Sequence, residues 1–300
     1  MRLTNICALV ALVWLAAGTA AGLLAQAELF SPGLSMGTAS DAAVIAQKSR
    51  FIAAILFHGC LLQVSLPLAA GLAMGLALLG EHRHWFALSV AAALVLVISA
   101  AVPAVMATVL MQAGRYTLGV SFSGSPVIVL AAGLAGLAVA GLAVPEARIQ
   151  IFPLGIMGTL PLGIAGLMEV IIANAGGDGA VDETYFKLAQ DHACGLTLLI
   201  WSFAVMLAWA GRGKPAGRAL PALAIAFLAL LAGAYLVFAE ARLGLSGMPR
   251  HYIDYSDGFF PLQRFASWAG FALAFSVAAG AGFLAFLKFR PTRQVPSAFG

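Results

Sequence analysis

The stretch TYFKLAQDHACGLTLLIWSFAVMLAWA, Thr184 to Ala210, decides what kind of protein this is. From Leu196 onward it is almost pure hydrocarbon with no charge, and it is long enough to cross a hydrocarbon layer that needs about 20 mostly apolar residues. Seven other runs have the same character, giving eight predicted spans: 6–27, 50–79, 85–112, 126–144, 149–173, 184–210, 219–240 and 265–289. In lipid every backbone polar group must be satisfied within the protein, so runs of this length are helices. The expected fold class is therefore all-α, a polytopic membrane helix bundle forming one membrane domain over residues 1–300.

Composition agrees. The chain is 62% hydrophobic and only 9% charged, whereas soluble domains carry about 25% charged residues. The formal charge of +4 reflects the Lys and Arg expected of cytoplasmic loops and gives no reason to expect nucleic-acid binding. Cys7, Cys60 and Cys194 are scattered through apolar runs, so buried thiols are expected rather than disulfides or a zinc site. Arg2, the apolar run after it and Ala25-Gln26-Ala27 look like a secretory signal with a small-residue cleavage site. Cleavage there would leave the topology of the rest unchanged. With the N-terminus inside, the inner segments sum to +7 and the outer ones to −3; the positive-inside rule then places both termini in the cytoplasm.

Two histidines fall at one depth. His58 lies about eight residues into the second run and His192 about eight into the sixth. Both runs enter from the outer side, so each imidazole lies about 12 Å below that surface. Matched depth is what a bis-histidine haem requires of its two axial ligands. Two separate histidines hydrogen-bonded at helix contacts would satisfy the same spacing, and sequence alone leaves both readings open. Zinc fits less well, because no Cys or carboxylate cluster surrounds both positions.

Several blocks resemble subunit I of the haem–copper cytochrome c oxidases. LGLSGMPRHYIDYSDGFF, 243–260, resembles the loop before that family's last helix, which typically reads Gly-Met-Pro-Arg-Arg-Tyr-x-Asp-Tyr-Pro-Asp-Ala. IIANAGGDGAVDETYFKLAQDHACGL, 171–196, resembles the passage through the ninth and tenth helices; AQAELFSPG, 25–33, resembles the end of the first; LFHGCLLQVSLPLAAG, 56–71, resembles the second. The resemblance implies that His58 and His192 are the axial ligands of a low-spin haem, and that Arg250 pairs with its propionates at the outer face. A guanidinium suits that role because it binds carboxylates through two hydrogen bonds at once. An electron donor, a copper-bearing subunit II-like protein or a cytochrome c, would then approach near Arg250 and Tyr252, with other membrane subunits alongside.

Departures from the family pattern shape the expectation as much. The family has twelve core helices, and these eight correspond to the first and last four, so the histidines that bind copper are missing and no copper is expected. Gln190 replaces the high-spin haem ligand and is not a usual ligand for haem iron. His251 replaces a second propionate arginine. Gln26 replaces an arginine that contacts the formyl group of haem A, which favours haem B over the A type. Asp182-Glu183 replaces a His-Asp pair near a magnesium site, and LAMGLALLGEHRHW, 72–85, lacks the proton-channel pattern. His82 and His84 read as interfacial residues.

Glu169, Lys187 and Asp191 introduce polar groups where the family has apolar or small ones, with Lys187 the expected partner of Asp191 one turn later. The resemblance thus implies a bacterial inner-membrane protein that binds one low-spin haem and carries electrons, without an oxygen-reducing centre of its own. The alternatives are a haem-free structural or assembly subunit, or an oxidase subunit completed by another chain.

Overall fold

The computed structural model describes residue 23 and residues 148–175, 181, 184–212, 214, 216–248 and 257–289. Over these the chain is all helical, with four helices long and apolar enough to cross a membrane: α1 (Arg148–Asn174), α2 (Tyr185–Gly211), α3 (Leu220–Leu245) and α4 (Phe260–Phe289). They are the fifth to eighth predicted spans. Apart from residue 23, the other four spans lie outside the described residues.

Helix α2 is the centre of the packing. Helices α1 and α3 flank it, α4 packs against α3, and α4 also touches α2. This explains why α2 is almost wholly buried, while α1, α3 and α4 present Phe152, Leu160, Phe227, Phe238, Trp268 and Phe275 on outward faces. Between helices in lipid the hydrophobic effect gives little attraction, so association depends on close van der Waals fit and a few polar contacts. The α1–α2 seam has both. Gly158 makes room for the Trp201 ring, and the indole N–H of Trp201 donates to the Gly155 carbonyl at 3.0 Å.

The start of α2 is capped locally. Thr184 is extended, and its hydroxyl accepts the Phe186 N–H at 3.2 Å, which satisfies one of the donors every helix start leaves open.

The end of α3 lies beyond the expected boundary at Glu240, and the start of α4 lies before 265. Helix α3 runs on to Leu245 because Leu243 and Gly244 are buried against α2. It then stops at a Schellman motif. Gly247 has φ +83°, the Met248 N–H donates to the Leu243 carbonyl at 3.0 Å, and the Gly247 N–H donates to the Gly244 carbonyl at 2.9 Å. Leu243 and Met248 share one buried cluster with Tyr185, the apolar contact that usually accompanies this motif. Helix α4 starts at Phe260 with Pro261 next, where proline's missing N–H costs nothing. The segment 243–260 is therefore a helix stop at one end and a helix start at the other, with the polar stretch 249–256 between them.

Candidate functional site

Two backbone features hold the start of α2 and the end of α3 together. The Tyr185 N–H donates to the Met248 carbonyl at 3.0 Å, and Gly244 lies so close to Phe186 that a Cβ there would fall on the Phe186 backbone. Met248 is fully buried, and the Gln263 amide of α4 reaches its sulfur at 3.9 Å. The chain that leads into Arg250 is thus fixed over the first turn of α2.

Below that junction lies the ionisable pair at the centre of the site. His192 Nδ1 and Glu240 Oε2 are 2.6 Å apart, with the His192 side chain 12% exposed and the Glu240 side chain 2% exposed. The two helices are antiparallel neighbours. His192 is seven residues from the start of α2 and Glu240 five from the end of α3, so both lie about 8–11 Å inside their helices. Around Glu240 on α3 are Leu236, Val237, Ala239 and Leu243, all buried.

A buried carboxylate loses several kcal/mol of hydration, and pairing offsets this only when the geometry is good. Here it is good: a single short contact joins two helices 48 residues apart in sequence. Sequence reading missed Glu240, which it left at the last position of an expected span. The one available signal was a lone carboxylate closing an apolar run.

The pair also fixes chemistry. Histidines that bind metals regularly give their second ring N–H to a carboxylate, which sets ring orientation and tautomer and raises ligand basicity. With Nδ1 committed to Glu240, metal ligation at His192 falls to Nε2. An imidazole held in this way is the kind of donor that a haem iron takes as an axial ligand. His58, the expected opposite ligand, lies outside the described residues, as do Gln26, Arg250 and His251.

Two residues before His192, toward the start of α2, a second polar group bridges α1 and α2. Gln190 is fully buried. Its amide donates to the Glu169 carboxylate and at 3.4 Å to the Ala165 carbonyl, and its Oε1 accepts from Lys187 Nζ at 2.5 Å. Lys187 is also 3.3 Å from Asp191 Oδ1, the i,i+4 pair expected from sequence. Glu169, Lys187 and Asp191 are thus linked to one another, with Gln190 as the connector. The Gln190 side chain is fully engaged by protein groups, which accounts for an amide at this position in apolar surroundings. Cys194 is buried and in no disulfide.

Comparison with curated proteins gives a partial match. The chain is 34% identical over 128 residues to cytochrome c oxidase subunit 1 of Cereibacter sphaeroides. That relates this chain to a haem–copper oxidase subunit I. The match covers 41% of this chain and 21% of the oxidase subunit, so the chain shares only a part of that protein's length. No protein-family model matches. The helices and the match together make this a multi-pass membrane protein like the oxidase subunit.

Proposed function

We propose that this chain is a single-domain, eight-span membrane protein that holds one low-spin haem between His58 and His192 and carries electrons without an oxygen-reducing centre of its own. The observation that supports this most is the His192–Glu240 contact at 2.6 Å. It gives the predicted ligand the buried carboxylate partner that metal-binding histidines regularly have, at the expected depth in a span. When bound, the haem supplies reversible one-electron iron chemistry.

The chain's own residues do the rest. His192, its ring held by Glu240, presents Nε2 as one ligand, and His58 supplies the other. Arg250, two residues after the anchored Met248, neutralises the propionates at the outer face. His251 lies beside it as a weaker contact, and Gln26, lacking a guanidinium for a formyl group, favours haem B. Gln190 is tied to Glu169 and Lys187 and supplies no ligand for a second haem. Both termini face the cytoplasm, and the donor, a subunit II-like protein or a cytochrome c, docks on the outer face. Other membrane subunits pack on the apolar outward faces. No copper is part of the proposal.

The test is optical spectroscopy of the purified chain. A six-coordinate low-spin haem spectrum is expected, and it should disappear in both His58→Ala and His192→Ala. Persistence of the spectrum in either variant rejects that residue as a ligand.

A second reading, a haem-free structural or assembly subunit, is favoured by the same contact seen differently. A histidine paired with a buried carboxylate also clamps α2 to α3 without any cofactor. This reading predicts a colourless purified protein whose association with its membrane partners survives both histidine substitutions. An oxidase completed by another chain would require the missing copper ligands on that chain.

A further inference from the structure

Glu240 is 1% exposed, and its polar contact among the described residues is His192 Nδ1. The other described charges near His192 belong to a separate group: Glu169, Lys187 and Asp191, joined through Gln190, where Lys187 is 3.3 Å from Asp191 and bonded to Gln190, which in turn donates to Glu169. Glu240 comes instead from α3, where its helix neighbours Leu236, Val237, Ala239 and Leu243 are buried, and its carboxylate meets the imidazole directly. A carboxylate in apolar protein acts over short distances far more strongly than one in water.

From this geometry, and resting on the haem reading above, we infer that Glu240 is the positioning residue that sets the redox balance of the site, holding the His192 ring and biasing the bound iron toward its oxidised form. The reasoning is electrostatic. A carboxylate that accepts the Nδ1 proton raises the electron density that Nε2 offers a metal. A more basic ligand, with an anion behind it, stabilises the ferric state over the ferrous one, because the ferric iron carries one more positive charge. Reduction of the site adds one electron and breaks no bond. Glu240 therefore changes the equilibrium of that step and adds no co-reactant to it. A glutamine at 240 would preserve shape and a hydrogen-bond acceptor while removing the charge, which separates the electrostatic role from the purely structural one.

The experiment is a mediated redox titration, followed by the haem absorption bands, of the full chain in detergent, as wild type, Glu240→Gln and Glu240→Asp. Glu240→Gln should keep the low-spin spectrum and the haem content, and should shift the ferric–ferrous equilibrium about tenfold toward ferrous, a rise of about 59 mV for a one-electron couple. Glu240→Asp keeps the charge but withdraws it by one methylene, and should rise by a smaller amount. It also serves as the test if Glu240→Gln does not fold. A haem-loaded variant with an unchanged potential overturns the inference and leaves the haem reading standing. A wild-type chain that binds no haem overturns both, so the two failures are distinguishable.

Discussion

Adding one methyl group at Gly244 tests the α2–α3 junction that supports the site. A Cβ built at this position meets the Phe186 backbone nitrogen, its Cα and its Cβ. Neighbouring side chains could rotate away, but a helical backbone can yield only if the two helices separate. Overpacking of this kind costs about 1–3 kcal/mol. Replacing a helical glycine with alanine otherwise gains about 0.5–1 kcal/mol. Gly163 in α1 supplies the control, because among the described residues nothing lies within 4 Å of an added Cβ there. Gly163→Ala should therefore stabilise slightly, and Gly244→Ala should destabilise. The difference between the two isolates the overpacking cost, about 1–3 kcal/mol, or roughly 5- to 150-fold in the unfolding equilibrium. Denaturation of both variants in the same detergent, followed by tryptophan fluorescence, measures this difference. Equal stability of the two variants would refute the close approach of α3 to α2, and with it the placement of Glu240 against His192.

Gly247→Ala places a side chain at φ +83° and should cost about 1–2 kcal/mol in the same assay, whereas Ser246→Ala beside it should cost less. Trp201→Phe removes the indole bond to the Gly155 carbonyl while keeping a ring in the space beside Gly158, and should cost about 0.5–1.5 kcal/mol. Cys194 is fully buried, so a membrane-permeant maleimide should leave it unmodified in the folded protein and label it after denaturation. Mass spectrometry of the peptide that contains it reads this directly.

The helices were legible because apolar runs of spanning length have one structural outcome in lipid. The expected spans 149–173 and 184–210 match α1 and α2 to within one residue at each end. The Lys187–Asp191 pair was legible for a similarly local reason, since residues four apart share a helix face. The end of α3 was misjudged because Glu240 and Arg242 look like a membrane boundary, yet the buried Leu243 and Gly244 carry the helix onward to a glycine that can take positive φ.

His192 was singled out by its expected depth, but its partner Glu240 was not. Nothing in a sequence says which faces of two helices turn toward each other, and Glu240 lies 48 residues away. Gln190 and Glu169, 21 residues apart on α2 and α1, were hidden for the same reason.

A pyridine haemochrome assay on the purified chain decides whether His58 and His192 share one haem iron. One haem per polypeptide is expected in the wild type, with the B-type spectrum, and none in His192→Ala. A folded, monodisperse wild-type protein that carries no haem would contradict that shared ligation.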